Sequence, residues 1–169
     1  MRQRSIPEAV VTGGLFGGAL DLLFAVSFAA YNGVAPTRVF QTIASGILGN
    51  VAFVGGDGVS AFGIGCHFGL SVLWAALFAS IAWRIPVLAR RSLFVSIGFG
   101  LVVFFCMRLV VLPLSAYPNP VTFKPLATVM DLLSHIFLFA WPIAVVVGRA
   151  IRARRPGNSF KPKQLRGSA

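Results

Sequence analysis

Residues 92–112 read SLFVSIGFGLVVFFCMRLVVL, an apolar run that carries a single charged residue, Arg108. An α-helix needs about 20 mostly apolar residues to cross the hydrocarbon core of a bilayer, and this run is long enough. Three further runs qualify, at about 9–31, 59–83 and 127–148. The sequence therefore predicts an all-α protein, a four-helix transmembrane bundle that forms one membrane domain over residues 1–148.

The composition excludes an ordinary soluble domain, because 57% of the 169 residues are hydrophobic and only 11% are charged. A net charge of +11 would suggest nucleic acid as a partner of a soluble protein. Here the basic residues lie in short segments between apolar runs. They do not share one exposed face with polar side chains of the kind that recognise bases. We therefore expect the lipid bilayer as partner, with anionic headgroups at the cytoplasmic face, and no nucleic acid.

Positive charge predicts the orientation of the spans. Twelve of the fifteen Lys and Arg residues precede the first span, lie between the second and third, or follow the fourth. The two opposite connections carry only Arg38 and Lys124. By the positive-inside rule, both termini face the cytoplasm of a bacterial inner membrane. The basic tail at 149–169 is predicted to be disordered.

The connection between the first and second spans predicts a helix of its own, over about 36–51. Its apolar residues recur at helical spacing: Phe40, Ile43, Ala44, Ile47, Leu48 and Val51. Polar residues fill the other face, so we expect an amphipathic helix that lies in the outer interface of the bilayer or dips back between the spans.

Small residues predict where helices pack closely. The first span contains two overlapping small-xxx-small pairs: Gly13, Gly14, Gly17 and Gly18. Such glycines let another helix approach, and Gly65 and Gly69 of the second span are the predicted matching surface. The close contact lies either within the bundle or between two copies in a homodimer, and another membrane protein is a third possible partner.

Five ionisable residues lie inside the predicted spans: Asp21, His67, Arg108, Asp131 and His135. At about 1.5 Å of rise per residue, all five fall in the outer half of the bilayer. Charged groups at membrane depth are costly, so they usually face the bundle interior and pair with one another. We expect one buried polar layer in which Arg108 pairs with Asp21 or Asp131. Asp131 and His135 share a helix face because they are spaced i,i+4.

The chemistry of this layer has three interpretations. It is a mutually satisfied network that fixes helix register, a site that handles protons or a small cation, or a metal or haem site. The candidate metal ligands are His67, Asp131 and His135. No cofactor is specified by the spacing, and no catalytic constellation is present, so no catalytic residue is predicted. A non-catalytic accessory or assembly subunit that packs against other membrane proteins is the alternative function.

Three segments resemble the YagU-like bacterial inner-membrane proteins. They are CHFGLSVLW at 66–74, RLVVLPLS at 108–115 and DLLSHIF at 131–137. The resemblance covers roughly residues 61–142 and rests on a second-span histidine, a proline-leucine exit from the third span and an acidic-xxx-His start to the fourth. It implies that His67, Asp131 and His135 are the positions that matter. The family is itself uncharacterised, with a suggested link to acid resistance, and the interpretation of Arg108 rests on this sequence alone.

Overall fold

Five α-helical segments and two short 3-10 turns make up most of the computed structural model, which describes residues 5–90 and 92–154. The helices are α1 (Ile6–Tyr31), α2 (Pro36–Leu48), α3 (Asp57–Arg84), α4 (Ser92–Leu114) and α5 (Pro125–Arg154). The described residues contain no β-strand. All but α2 are long and apolar enough to cross a membrane. The prediction of an all-α, multi-pass membrane protein is confirmed.

Helix α1 begins at a capping box. The Glu8 backbone N–H donates to Ser5 Oγ over 3.2 Å, and the Ser5 N–H donates to the Glu8 carboxylate over 2.8 Å. This reciprocal pair satisfies two backbone donors that have no partner inside the helix. Helices α2 and α5 begin instead at Pro36 and Pro125, whose fixed φ suits the first helical turn.

Helices α4 and α5 each contain one wider π-helical turn, at Met107–Val111 and His135–Ala140. The second lies directly before Trp141 and Pro142. Proline has no N–H to donate to the preceding turn, and the π turn accommodates that loss. Arg108 and His135 both lie within these turns, so the irregular backbone determines the direction of two of the five ionisable side chains.

The hydrophobic core occupies the end of the bundle where α1 begins and α5 ends, which we call the tail end. Its fully or almost fully buried residues come mainly from α3 and α5: Ala75, Phe78, Ala82, Ile143, Val147 and Ile151. Val103 of α4 joins them. The cluster contains apolar residues alone, so this end of the bundle is closed by packed side chains.

Helix α1 lies between α3 and α5 because four glycines remove its side chains there. Gly14 and Gly18 face α3, and a Cβ atom on Gly14 would lie 2.7 Å from the Val72 Cα atom. Gly13 and Gly17 face α5, where a Cβ on Gly17 would lie 2.7 Å from the Phe139 carbonyl oxygen. All four glycines are buried. The packing is therefore within the bundle, and this face is not available to a second copy.

The predicted matching surface on α3 is wrong. Gly65 and Gly69 are exposed, and no heavy atom lies within 4 Å of a Cβ built on either. The glycines of α1 contact Phe68, Ser71 and Val72 instead. Successive residues on a helix are rotated by about 100°, so Gly69, one position after Phe68, points away from α1.

The predicted amphipathic helix is present as α2 and continues into a 3-10 turn at Gly49–Phe53. It packs on α3 at Gly63, where a side chain would collide with the Phe40 carbonyl. The Gln41 side-chain amide donates to the Gly55 carbonyl over 2.7 Å, and the Ala116 N–H donates to the Gly46 carbonyl over 2.9 Å. These contacts hold α2 across the end of the bundle opposite the tail end, which we call the α2 end.

The predicted start of the disordered tail at residue 149 is wrong, because α5 continues to Arg154 and residues 149–154 are helical. Arginines in the last turn suit the negative end of the helix dipole, and Arg152 donates a hydrogen bond to the Ala89 carbonyl. The predicted disorder of 155–169 lies outside the described residues.

The glycine contacts generate a test with a matched control. In Gly14→Ala, the added methyl meets the α3 backbone, so the free energy of unfolding should fall by about 1–3 kcal/mol, the usual cost of overpacking. In Gly69→Ala the methyl enters open space, and the helix should keep or gain stability. Thermal unfolding of both variants in one detergent compares them. Equal melting temperatures would contradict the observed packing of α1.

Candidate functional site

The five ionisable residues of the predicted layer line one cavity of about 490 Å³: Asp21, His67, Arg108, Asp131 and His135. The cavity lies between α1, α3, α4 and α5, beneath α2. Its wall extends from Arg38 and Lys124 at the α2 end to Trp74 and Phe139 beside the core. The polar layer is therefore the wall of a chamber within the bundle.

Arg108 forms an ion pair with Asp131, as one of the two predicted pairings requires. Its Nη2 and Nε atoms donate to Asp131 Oδ2 over 2.8 and 3.2 Å. The third donor, Nη1, reaches the Thr122 carbonyl over 2.8 Å. The guanidinium also lies 5.2 Å from the ring centre of Phe104 and 5.4 Å from that of Phe123. A planar, forked cation makes all these contacts at once, and so it ties α4 to α5 and to the loop before α5.

His135 lies between two carboxylates. Its Nδ1 atom is 2.9 Å from the Asp131 carbonyl oxygen, 3.3 Å from Asp131 Oδ1 and 3.8 Å from Asp21 Oδ1. A carbonyl only accepts hydrogen bonds, so Nδ1 must carry a proton. No hydrogen bond from the described residues engages the other nitrogen, Nε2. That nitrogen is the atom at which His135 gains or loses its second proton.

Asp21 has no arginine or lysine partner among the described residues. Its carboxylate accepts a hydrogen bond from the Ser134 hydroxyl over 2.5 Å, and its side chain is 13% exposed. Sequence reasoning missed Ser134, although its place beside His135 and three residues after Asp131 is a usable signal. Asp21, Asp131, Ser134, His135 and Arg108 form the polar cluster.

His67 lines the same cavity but makes a different contact. Its Nε2 atom lies 2.9 Å from the Gly18 carbonyl oxygen, so it donates a hydrogen bond from α3 to α1. His67 therefore lines the same cavity as Asp131 and His135, as predicted, but the predicted direct contact with them is not formed. Over residues 5–90 and 92–154, no three His, Cys, Asp or Glu side chains form a metal-binding group. The geometry therefore does not support the three candidate ligands as a metal site.

Two further polar groups on the wall were not found from the sequence. Trp74 Nε1 and Thr128 Oγ1 are buried, and neither has a hydrogen-bond partner in the described part of the chain. Both residues line the cavity. Buried donors without partners are uncommon in proteins, and these two atoms have almost no accessible surface of their own. Their residue types carry no periodic signal that would have singled them out.

A second cavity, of about 260 Å³, lies between the α2-end halves of α1 and α5. It is bordered by Phe24 and Phe28 of α1 and shares Asp21, Arg108 and Asp131 with the first cavity. The polar cluster is therefore the partition between a central chamber and a lateral cleft. The free thiols of Cys66 and Cys106 are not among the residues that line either cavity.

Comparison with models of protein families, with curated proteins and with solved structures finds no match for this chain. The resemblance to the YagU-like proteins stays a prediction from short motifs. The function is therefore argued from the polar cluster and the cavity.

The Arg108–Asp131 pair generates the second test. In Arg108→Ala, the Asp131 carboxylate loses its cation, and we expect a loss of about 1–3 kcal/mol in the free energy of unfolding. This is less than the usual cost of breaking a fully buried pair, because the Asp131 side chain is 38% exposed. Arg108→Lys restores the positive charge but not the paired hydrogen bonds of a guanidinium, so it should recover only part of the lost stability. Thermal unfolding in detergent measures both, and wild-type stability of Arg108→Ala would contradict the role of the pair.

Proposed function

We propose that this protein binds a proton or a small monovalent cation in the polar cluster, from the side of the membrane that α2 covers. The observation that supports the proposal is the charge of the cluster. Asp21 and Asp131 carry two negative charges, while Arg108 supplies one positive charge. With a neutral His135, one negative charge has no counter-charge in the interior of a membrane bundle.

An uncompensated charge in a low-dielectric interior is expensive, so the cluster has a strong tendency to acquire one positive charge. A proton on His135 Nε2 or on the Asp21 carboxylate supplies it. A monovalent cation held by Asp21 and by the Asp131 oxygen that Arg108 does not bond supplies it equally well. A proton and a monovalent cation therefore compete to neutralise the same negative charge. Such competition is the basis of coupled proton and cation binding.

The two ends of the bundle differ in a way that supports binding from one side. The cavity extends from the polar cluster toward Arg38 and Lys124 at the α2 end. Toward the tail end, the path meets the packed apolar core around Phe78, Ile143 and Val147. The proposed site is therefore a cavity that extends toward the α2 end and not a continuous pore.

The proposed orientation follows from the charge of the connections. The termini and the α3–α4 connection carry most of the Lys and Arg residues, so they belong in the cytoplasm of a bacterial inner membrane. The α2 end then faces the periplasm, and the polar cluster exchanges protons or cations with that compartment.

The orientation is tested by a reporter fused after Ala169. A fused green fluorescent protein should fluoresce and a fused alkaline phosphatase should be inactive, since both would lie in the cytoplasm. The same reporters inserted after Gly33, in the α1–α2 connection, should give the opposite pattern. An active phosphatase at the C-terminus would invert the proposed topology.

Ion binding is tested by removing the unmatched charge. Wild-type protein in nanodiscs should take up about one proton per chain at the cluster as the pH falls from about 10 to about 5, a range that extends above the interval in which histidine ordinarily changes charge. Asp21→Asn removes the excess negative charge and should abolish this uptake. Asp57→Asn is the control, because Asp57 is an exposed carboxylate at the start of α3 and lies outside the cluster. Indicator-dye titration compares the three proteins.

The cation alternative uses the same variants. At high pH, sodium or potassium in place of choline at equal ionic strength should raise the melting temperature of wild type and of Asp57→Asn but not of Asp21→Asn, because a ligand stabilises the folded state it binds. If wild type and Asp21→Asn agree in proton uptake and also in cation response, the cluster is a structural network alone. In that case its variants would lose about 1–3 kcal/mol of stability with no ion signal.

A further inference from the structure

The central cavity is much larger than a proton or a small cation requires. Its volume of about 490 Å³ falls in the range of small-molecule pockets. Most of the wall is apolar, with contributions from Leu22, Ile43, Leu70, Val103 and Met107. This apolar part of the wall suits the body of an organic molecule.

The charged residues at the α2 end of the cavity indicate the sign of the ligand's charge. Arg38 and Lys124 line the α2 end of the cavity, are exposed, and form no ion pair with a carboxylate of the described residues. The Arg38 guanidinium lies 4.2 Å from the ring centre of Phe53 and contacts only that residue's carbonyl, at 3.5 Å. Deeper in the wall, Arg108 is neutralised by Asp131. Of the basic residues that line the cavity, those with no ion-pair partner among the described residues are therefore at its α2 end.

We propose that the cavity binds an amphipathic organic anion, with its carboxylate or phosphate head between Arg38 and Lys124 and its apolar body against the inner wall. This goes beyond the proton or cation of the polar cluster, because it rests on different residues. The lateral cleft between α1 and α5 shares Asp21, Arg108 and Asp131 with the chamber. A ligand of this chemistry has two sources, the bilayer and the aqueous solution, and the test below separates them.

The test uses Trp74 as a reporter of occupancy. A protein with Trp83→Phe and Trp141→Phe retains Trp74 on the cavity wall, and bromine quenches indole fluorescence at close range. The probe is ω-bromododecanoate, and ω-bromododecanol is its neutral counterpart of equal chain length. Trp141 is 45% exposed and not a cavity residue, so a protein that retains Trp141 alone measures quenching from the bilayer.

We expect ω-bromododecanoate to quench Trp74 saturably, while Trp141 is quenched in proportion to probe in the bilayer. The double variant Arg38→Gln, Lys124→Gln should raise the half-saturating concentration about ten-fold or more, which corresponds to about 1.4 kcal/mol. The alcohol should need a similarly higher concentration. Thermal unfolding of each variant checks that it is folded.

The source is separated by a short, water-soluble probe, ω-bromohexanoate. Saturable quenching of Trp74 by both acids identifies a dissolved anion as the natural ligand class, whereas quenching by the long acid alone identifies an anion from the membrane. Quenching of Trp74 that does not saturate, that is equal for the acid and the alcohol, or that ignores the double variant would overturn the proposal. None of these readouts depends on Asp21 or His135, so the anion site and the proton site can fail separately.

Discussion

The close approach of α1 to α3 and α5 is the constraint on which the rest of the structure depends. In a bilayer there is little hydrophobic drive between helices, and association relies on packing at short distance. Gly13, Gly14, Gly17 and Gly18 allow that distance over the half of α1 nearer the tail end. Beyond Gly18 the helix carries Asp21, Phe24 and Phe28 in place of glycine, and these residues border the two cavities. The same helix therefore closes one end of the bundle and leaves space at the other.

That space determines where charge can be tolerated. The tail end is filled with apolar side chains, so the ionisable groups of the spans collect in the open half, where they meet one another and the cavity. The π turns contribute by placing Arg108 and His135 on the inner side of α4 and α5. π turns carry a backbone cost and are often found at functional sites. Here two of them lie in the two helices that supply the ion pair and the histidine.

The cluster and the cavity have complementary electrostatics. With a neutral His135 the cluster has one negative charge in excess, whereas Arg38 and Lys124 have no ion-pair partner among the described residues. Basic residues at the α2 end attract an anion more than a cation. In the two proposals above, the anionic ligand would therefore lie close to the proton or cation site.

Much of this architecture follows from the sequence, because membrane spans, helix periodicity and charge asymmetry are local patterns. The four spans, the amphipathic α2, the buried glycine face of α1 and the pairing of Arg108 with either Asp21 or Asp131 all follow from residue type and spacing, and the structure selects Asp131. The pairing was predictable because an arginine and an aspartate at similar depth have few other partners in a membrane. Local pattern did not determine how far each helix is rotated about its own axis. For that reason Gly65 and Gly69 were assigned to the wrong face, and His67 was expected beside Asp131 although it donates to the Gly18 carbonyl.

The sequence by itself determined that this chain is a membrane bundle with five ionisable residues in one layer. Only the tertiary structure decided that the layer borders a chamber, that Trp74 and Thr128 line it, that Ser134 donates a hydrogen bond to Asp21, and that the tail end is closed. The physical reason is that a cavity forms where several packed helices leave volume unfilled between them. No single helix encodes that volume, since it depends on the tilt, separation and rotation that four helices adopt when their glycines, prolines and π turns are packed at once.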